Sequence, residues 1–467
     1  MFFFDDQYLE NIALIDRNGS FLSYYDLTLK IKEFSSVFER RHLVFIVGEN
    51  DVSSIVCYLS CIESDMVPLL LSPKIKLDQL KNLIEVYRPR YIFQKLEDFY
   101  KNYSIVLRDQ AYSLLVNNNN LQVQPNSKLA LLLTTSGSTG SPKLVRLTKK
   151  NLISNAKSIS NYLKISPFDR VITSLPFNYS YGLSVINSHL ISGSSIVLSN
   201  ASMIEGEFWK KINEHSVTGL SGVPYNYEMI LKLGINRLKI PSINTMTQAG
   251  GRLDFEKIKT IYDGLKPKKI DFYSMYGQTE ATARISYLAP NDIIRKIGSI
   301  GKAIPDGRLW IEDKNGKIIN QSNTIGELIY SGDNVSMGYA SSLDDLKLGD
   351  KNKGTLRTGD LAHFDSEGYF YIKGSINRFI KVFGNRISLD SVEEIISNMG
   401  FECASTGEEN MLLIFVENHP SLSIDALKTN ISNLIGINQK AIEISSVSIL
   451  PRLINGKIDY KALREGK

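Results

Sequence analysis

From residue 43 the chain alternates short apolar runs with longer amphipathic ones. Residues 43–47, 67–71 and 91–93 read as strands, and 52–62 and 77–86 as the helices between them. The same alternation resumes with apolar runs at 129–133, 171–175, 196–198, 243–247 and 270–274. Strand and helix alternating on this scale predict α/β layers with largely parallel sheets. Beyond Ala289 the pattern changes to short strands broken by Gly298, Gly301, Gly307, Gly316, Gly326, Gly332 and Gly338, which predicts a small antiparallel or barrel-like section. From about Ser375 it changes again: a hairpin, a helix over 389–398, a strand at 412–416, a helix over 424–434 and a strand at 442–449. The fold class expected is therefore α/β, with a large N-terminal domain over 1–375 followed by a small α+β domain over 376–467. The polar run 117–120 reads as a loop, and no internal repeat stands out.

Composition narrows the class without naming a chemistry. A chain of 467 residues, 43% hydrophobic and 22% charged, is an ordinary folded protein of roughly three structural units. The 54 Lys and Arg against 49 Asp and Glu leave a charge of +5, too dilute to argue for nucleic acid, although a small anionic ligand needs only a few cations. The three cysteines form neither a paired framework nor a metal cluster. Asp5, Asp6 and Glu10 stand where a signal peptide would carry cations, and no apolar run approaches the ~20 residues that cross a bilayer. A cytoplasmic protein without membrane insertion is expected.

The densest local signal is Thr134-Thr135-Ser136-Gly137-Ser138-Thr139-Gly140-Ser141-Pro142-Lys143, directly after the strand at 129–133. Hydroxyl residues and glycines in succession offer N–H and O–H donors that wrap phosphate oxygens, with Lys143 as a nearby cation. It is not a Walker A loop, because the spacing from Gly137 ends on Pro142 and the lysine is followed by neither Ser nor Thr. A solvated Ser/Gly linker is the alternative.

This loop resembles the phosphate loop of the adenylate-forming superfamily, which holds acyl- and aryl-CoA synthetases, nonribosomal peptide adenylation domains and firefly luciferase. Further segments match in the same order. Ala249-Gly250-Gly251-Arg252-Leu253 is similar to the family's glycine pair beside adenine, and Tyr276-Gly277-Gln278-Thr279-Glu280 to its Tyr-Gly-x-Thr-Glu segment. The segments 326–339 and Arg357-Thr358-Gly359-Asp360 resemble the next two, and Asn455-Gly456-Lys457 the loop near the carboxyl end. Together the matches run from about Leu43 to Leu463. The resemblance implies that Tyr276 stacks on adenine, Thr279 touches the α-phosphate, Glu280 holds Mg²⁺, Asp360 accepts the ribose hydroxyls and Lys457 bridges the substrate carboxylate and α-phosphate. Thr135, Ser136, Gly137, Ser138, Thr139, Gly140, Lys143, Gly250, Gly251, Arg252 and Gly277 complete the implied nucleotide site. Read alone, Glu280 is a carboxylate at a helix start, Gly250-Gly251 a strand-to-helix turn, and Asn455-Gly456-Lys457 a hairpin tip.

Two departures stand out. Ser375 occupies the place where the family has Arg, and Asn377 the hinge position where Asp or Lys is usual. Arg378 is the candidate to replace the absent nucleotide contact. The resemblance further implies that the C-terminal domain is mobile, turning about the hinge at Asn377 between two half-reactions.

For the substrate, 175–183 is the informative stretch. It matches the segment in which amino-acid-activating members place an Asp against the substrate ammonium, and here that position is Asn178. A neutral amide supplies no countercharge for a buried ammonium, which disfavours a free α-amino acid. Tyr179 follows where many acyl-CoA synthetases carry His or an aromatic gate, and Gly222 and Val223 belong to another pocket-wall loop.

The function expected is an AMP-forming acid–thiol ligase. It takes ATP, Mg²⁺ and a small carboxylic acid, and transfers the acyl group to coenzyme A or to phosphopantetheine on a separate acyl carrier protein, since too little chain follows Lys457 for a fused carrier. Transfer to an amine, and a catalytically silent nucleotide-binding protein, are the alternatives.

Overall fold

The computed structural model describes residues 1, 3–39, 41–95, 102–119, 124–134, 143–376, 378–383, 385–408, 410–453 and 456–465. The chain divides into two compact units, Met1–Arg308 with Tyr330–Leu356, and Leu309–Ile329 with Arg357–Lys467.

The first unit is built on two large sheets. In the eight-stranded sheet, Leu43–Val47, Val67–Leu71, Tyr91–Lys95 and Leu129–Thr134 pair in parallel around Leu43–Val47 and Val67–Leu71. The antiparallel hairpin Tyr103–Asp109 and Tyr112–Asn117 extends one edge. Each parallel strand is a nearly unbroken apolar run because both of its faces are covered. Leu43, Phe45, Val67, Leu69 and Leu132 pack with Leu80, Leu83 and Tyr87 of the helix Leu77–Tyr87. Asp51 caps the helix Val52–Glu63 by accepting the amide of Ser54.

The nine-stranded sheet carries a parallel centre, Asp271–Tyr276, Thr245–Gln248, Gly219–Gly222, Arg170–Ile172 and Ser195–Val197 in that order. Beyond it Ile12–Ile15 joins Ser195–Val197 in parallel, and Ser286–Leu288 folds back antiparallel on Asp271–Tyr276. The parallel α/β reading of the sequence is therefore correct. The N-terminal strand and the 103–117 hairpin are additions that the sequence reading did not include.

In the second unit, a four-stranded sheet of Arg308–Glu312, Gly326–Ser331, Thr355–Phe364 and Phe370–Ser375 is the glycine-punctuated section. It is followed by the hairpin Phe379–Val382 and Asn385–Ser388 and the three-stranded sheet Cys403–Glu408, Met411–Glu417 and Ile442–Val447. Alternation along Met411–Glu417 serves two cores: Leu412, Ile414 and Val416 face Val392, Ile396, Leu427 and Ile431, while Leu413 and Phe415 face Leu450 and Leu463. The sequence reading put the four-stranded sheet with the N-terminal domain and the boundary at 375/376. The contacts group most of that sheet with the C-terminal unit instead. Within that unit the Ser375 amide donates to the Asp390 carboxylate, 2.8 Å away across the expected boundary.

Among the described residues, no helix is long and apolar enough to cross a membrane.

Arg146 ties a neighbouring segment to the first sheet. It is fully buried on the strand Leu144–Thr148, and its guanidinium donates to the carbonyls of Tyr339 at 3.0 Å, Met337 at 2.8 Å and Gly349 at 3.1 Å. Arg146→Met keeps most of the volume but removes all of these hydrogen bonds at once, leaving the Met337 carbonyl with the Lys351 amide alone. It is expected to lower the unfolding free energy by about 3–5 kcal/mol in urea titration. A change under about 1 kcal/mol would show that the 337–349 segment is held by other contacts.

Candidate active site

Three parallel strands of the nine-stranded sheet run in register to their carboxyl ends, with Gly222 opposite Gln248 and Gln248 opposite Ser274. The residues that follow therefore emerge along one edge: Val223, then Ala249-Gly250-Gly251, then Tyr276-Gly277. Carboxyl ends of parallel strands are where open α/β sheets bind ligands, because the connecting turns there leave a crevice. The sheet brings these separate sequence segments together.

Each turn is tight for an identifiable reason. Gly250 has φ of +89°, and a Cβ there would stand 2.7 Å from the Tyr179 hydroxyl and 3.1 Å from Val223 Cγ1, so Gly250, Tyr179 and Val223 form one wall. Gly277 has no room for a side chain: its Cβ would meet the Ala283 carbonyl oxygen at 1.7 Å. Gln248 donates to the Gly251 carbonyl at 2.8 Å and fixes the second glycine. Arg252 lies with its guanidinium 5.1 Å from the ring of Phe255. Tyr276 is half-buried, and Gln278 donates to its hydroxyl at 3.1 Å.

The strand Asp271–Tyr276 leads into the short 3₁₀ turn Thr279–Ala281. Thr279 Oγ1 lies 3.1 Å from the Ser180 hydroxyl, at the first turn of the helix Ser180–Ile191. Glu280 Oε1 accepts the Tyr339 hydroxyl at 2.7 Å, and the Lys143 ammonium sits 3.5 Å over the Tyr339 ring. Burial, and then the Glu280 charge, hold the Tyr339 phenol well above its ordinary pKa, so it remains a donor. Among the described residues only one Glu280 oxygen is engaged, and no cluster of three His, Cys, Asp or Glu is present. A single carboxylate with a free oxygen suits Mg²⁺, which takes one or two protein carboxylates and completes its shell with phosphate oxygens and water.

Asn178 and Tyr179 lie on the approach to the helix Ser180–Ile191. Asn50 holds this stretch by accepting the Phe177 amide at 2.9 Å and donating to the Leu175 carbonyl at 3.1 Å. Gly182 lets the helix start close to it, since a Cβ would lie 2.2 Å from the Pro176 oxygen. Burial pushes the Tyr179 phenol up to about 12, against the nearby Arg284 charge, so the hydroxyl is neutral at any physiological pH.

The remaining candidates belong to the second unit. Asp360 lies on the strand Thr355–Phe364 opposite Ser375, its amide donating to Thr358 Oγ1 at 3.1 Å. Lys457 is exposed on a turn closed by the Leu453 amide donating to the Lys457 carbonyl at 2.8 Å, with Gly456 at φ of +79°. Arg378, expected as a nucleotide contact, is engaged within its own unit. Its guanidinium donates to Asp390 at 2.5 Å, to Glu393 at 2.8 and 3.0 Å and to the Ser405 carbonyl at 3.1 Å, and lies 4.4 Å from the Tyr460 ring. Two carboxylates already saturate it, so a phosphate would have to displace one of them. Thr135, Ser136, Gly137, Ser138, Thr139 and Gly140 of the phosphate loop, and Asn377 of the hinge, lie outside the described residues.

One positioning residue carried no sequence signal. Asn334, buried, donates to the Ala281 and Arg284 carbonyls at 2.8 Å each and accepts the Tyr330 hydroxyl at 2.7 Å. Its own carbonyl accepts Thr282 Oγ1 at 2.7 Å, which secures Thr282 in a left-handed conformation with φ of 65°. The turn that carries Glu280 is thus fastened from behind.

Comparison with known proteins agrees with this geometry. The family described as "AMP-binding enzyme" matches residues 4–340. A sulfoacetate–CoA ligase of Cupriavidus necator is 28% identical over 346 residues, which are 72% of this chain and 66% of that ligase. The chain thus spans just under two thirds of that relative. A 2-succinylbenzoate–CoA ligase of Oceanobacillus iheyensis is 25% identical over 465 residues, 96% of this chain and 94% of the relative. The solved O-succinylbenzoate coenzyme A synthetase of Bacillus subtilis in complex with AMP superposes with a TM-score of 0.78 at 23% identity, covering 97% of this chain and 95% of that one. This last likeness is one of fold.

Asn334→Ala removes one donor from each of the Ala281 and Arg284 carbonyls and takes away the acceptor of the buried Tyr330 phenol, and is expected to cost on the order of 3 kcal/mol of stability. Thermal unfolding of the variant checks this. An unchanged melting temperature would mean that the Glu280 turn is held by its own backbone.

Proposed function

The chain belongs to the AMP-binding enzyme family, and on that premise we propose that it is an ATP-dependent, AMP-forming acid–thiol ligase. It activates a carboxylic acid as an acyl-adenylate and then passes the acyl group to a thiol. The observation that carries this reading is the convergence of Val223, Gly250, Gly251, Tyr276, Thr279 and Glu280 on the carboxyl edge of three parallel strands. The names of the two curated relatives, both CoA ligases, support the same chemistry.

The first half-reaction brings two anions together. A carboxylate and the α-phosphate about 4 Å apart repel by roughly 4 kcal/mol at an effective dielectric near 20, so the site must supply positive charge and donors. Tyr276 offers a flat face to the adenine, and the side-chain-free edges of Gly250 and Gly251 admit the base. Thr279 donates to the α-phosphate. Glu280, with its second oxygen open, holds Mg²⁺, which neutralises phosphate charge. The loop 135–140 and Lys143 add donors along the phosphates, Asp360 takes the ribose hydroxyls, and Lys457 bridges the reacting carboxylate and phosphate. Arg378 plays no part in this scheme while it stays paired to Asp390 and Glu393.

Asn178 and Tyr179 border the acyl site. Neither brings a negative charge, which favours an acid without a free α-ammonium. The segment 376–467 turns about Asn377 between the two half-reactions, and the acceptor is coenzyme A or phosphopantetheine on a separate carrier protein. AMP release measured with each thiol in turn identifies the acceptor.

Lys457→Ala is expected to lower acid-dependent pyrophosphate exchange by about 10²- to 10³-fold, the size of effect seen when one transition-state donor is removed. ATP affinity should change by less than about 3-fold, because the interaction forms at the reacting carboxylate. Exchange close to that of the parent protein would remove Lys457 from the mechanism.

A further inference from the structure

Arg284 is 1% exposed and among the largest fully buried side chains. A guanidinium stays charged at every accessible pH, and burying one without a countercharge is costly. Two other arginines show how such a charge is usually provided for. Arg146 is wrapped in backbone carbonyls, and Arg378 holds two carboxylates.

Arg284 has neither arrangement. Its guanidinium carbon lies 3.9 Å from the centre of the Tyr181 ring, the Tyr162 hydroxyl is nearby, and its Nε is buried with no partner among the described residues. No carboxylate pairs with it there. The aromatic groups around it are Tyr162, Tyr179 and Tyr181, and burial raises the pKa of all three phenols, so none supplies a negative charge. Ring faces attract a cation, yet they do not replace an anion.

The position of this charge matters as much as its isolation. Arg284 stands three residues beyond the Thr279–Ala281 turn. Its backbone carbonyl accepts the side-chain amides of Asn155 at 3.2 Å and Asn334 at 2.8 Å, which fix it in place. It sits against the tyrosines of the 179–181 stretch, and Tyr179 in turn faces Gly250 on the pocket wall. The unpaired cation is therefore beside the acyl end of the site, while Lys143 and Glu280 lie at its phosphate end.

We propose that Arg284 is the counter-ion for a second anionic group on the substrate, so that the acid activated here is a dicarboxylic acid or a comparably dianionic organic acid. The inference rests on the acid–thiol ligase reading and narrows it to a substrate class. One carboxylate of the acid is adenylated, and the other pairs with the guanidinium, whose planar edge matches a carboxylate. A mono-acid of the same shape leaves the buried charge unpaired, and that penalty sets the discrimination.

The test is pyrophosphate exchange with matched pairs of acids differing by one carboxylate: succinate against butyrate, glutarate against valerate, and phthalate against benzoate. The full-length protein is expected to favour the diacid of at least one pair by about 100-fold or more in kcat/KM. In Arg284→Met that ratio should fall below about 3, chiefly through a higher KM for the diacid, and Arg284→Lys should restore part of it. Should Arg284→Met fail to fold, the preference of the parent protein still decides. Exchange supported equally or better by the mono-acids overturns the inference and leaves the ligase reading standing. So does a parent preference that survives in a folded Arg284→Met protein. Exchange with no acid of either kind overturns both.

Discussion

The structure depends on the shared direction and register of the strands Gly219–Gly222, Thr245–Gln248 and Asp271–Tyr276. A slip of one residue in any of them would turn its side chains to the other face of the sheet and carry its terminal glycines away from the edge. With the register kept, three short turns separated by long stretches of sequence face one crevice. Each turn is glycine-bearing for a steric reason: the Tyr179 hydroxyl at Gly250, the Ala283 carbonyl at Gly277 and the side chains of Tyr227 and Asn226 at Gly222.

Local rules of stability give way at the same place. Thr282 adopts a left-handed backbone, Tyr339 is buried against a carboxylate, and Arg284 is buried against neutral rings. Such departures persist only where surrounding structure over-determines them. Here the surroundings include Asn334, which ties the turn of Glu280 to the 330–336 segment through three hydrogen bonds and is itself held by the Tyr330 hydroxyl.

Much of this was legible from residue order. Apolar runs bounded by amphipathic ones gave the parallel strands, and the helix Leu389–Asn398 is where its Ser388 cap and apolar spacing put it. Other features were hidden because their meaning is not local. Ile12–Ile15 is a short apolar run whose partner, Ser195–Val197, lies far along the chain. The hairpin at 103–117 does alternate in burial along its first strand, a signal that was there to be read. The apolar run 171–175 ends as a strand at Ile172, because Thr173 bonds the Ser199 carbonyl and Leu175 is taken up by Asn50. Among site residues, glycines and the Tyr-Gly-Gln-Thr-Glu segment announce themselves by type and spacing. Asn50, Asn334 and Arg284 do not, since their roles arise from burial and partners. Arg378 shows the reverse case: its place in the sequence suggested a nucleotide contact, and its partners Asp390 and Glu393 engage it elsewhere.

The most direct measurement of the central claim is a crystal structure of the protein with a non-hydrolysable acyl-adenylate analogue bound. The account predicts the adenine against Gly250, Gly251 and the Tyr276 ring, with the phosphate mimic within hydrogen-bond distance of Thr279. An analogue bound away from the carboxyl ends of these three strands, with Tyr276 and the glycine pair untouched, would contradict it.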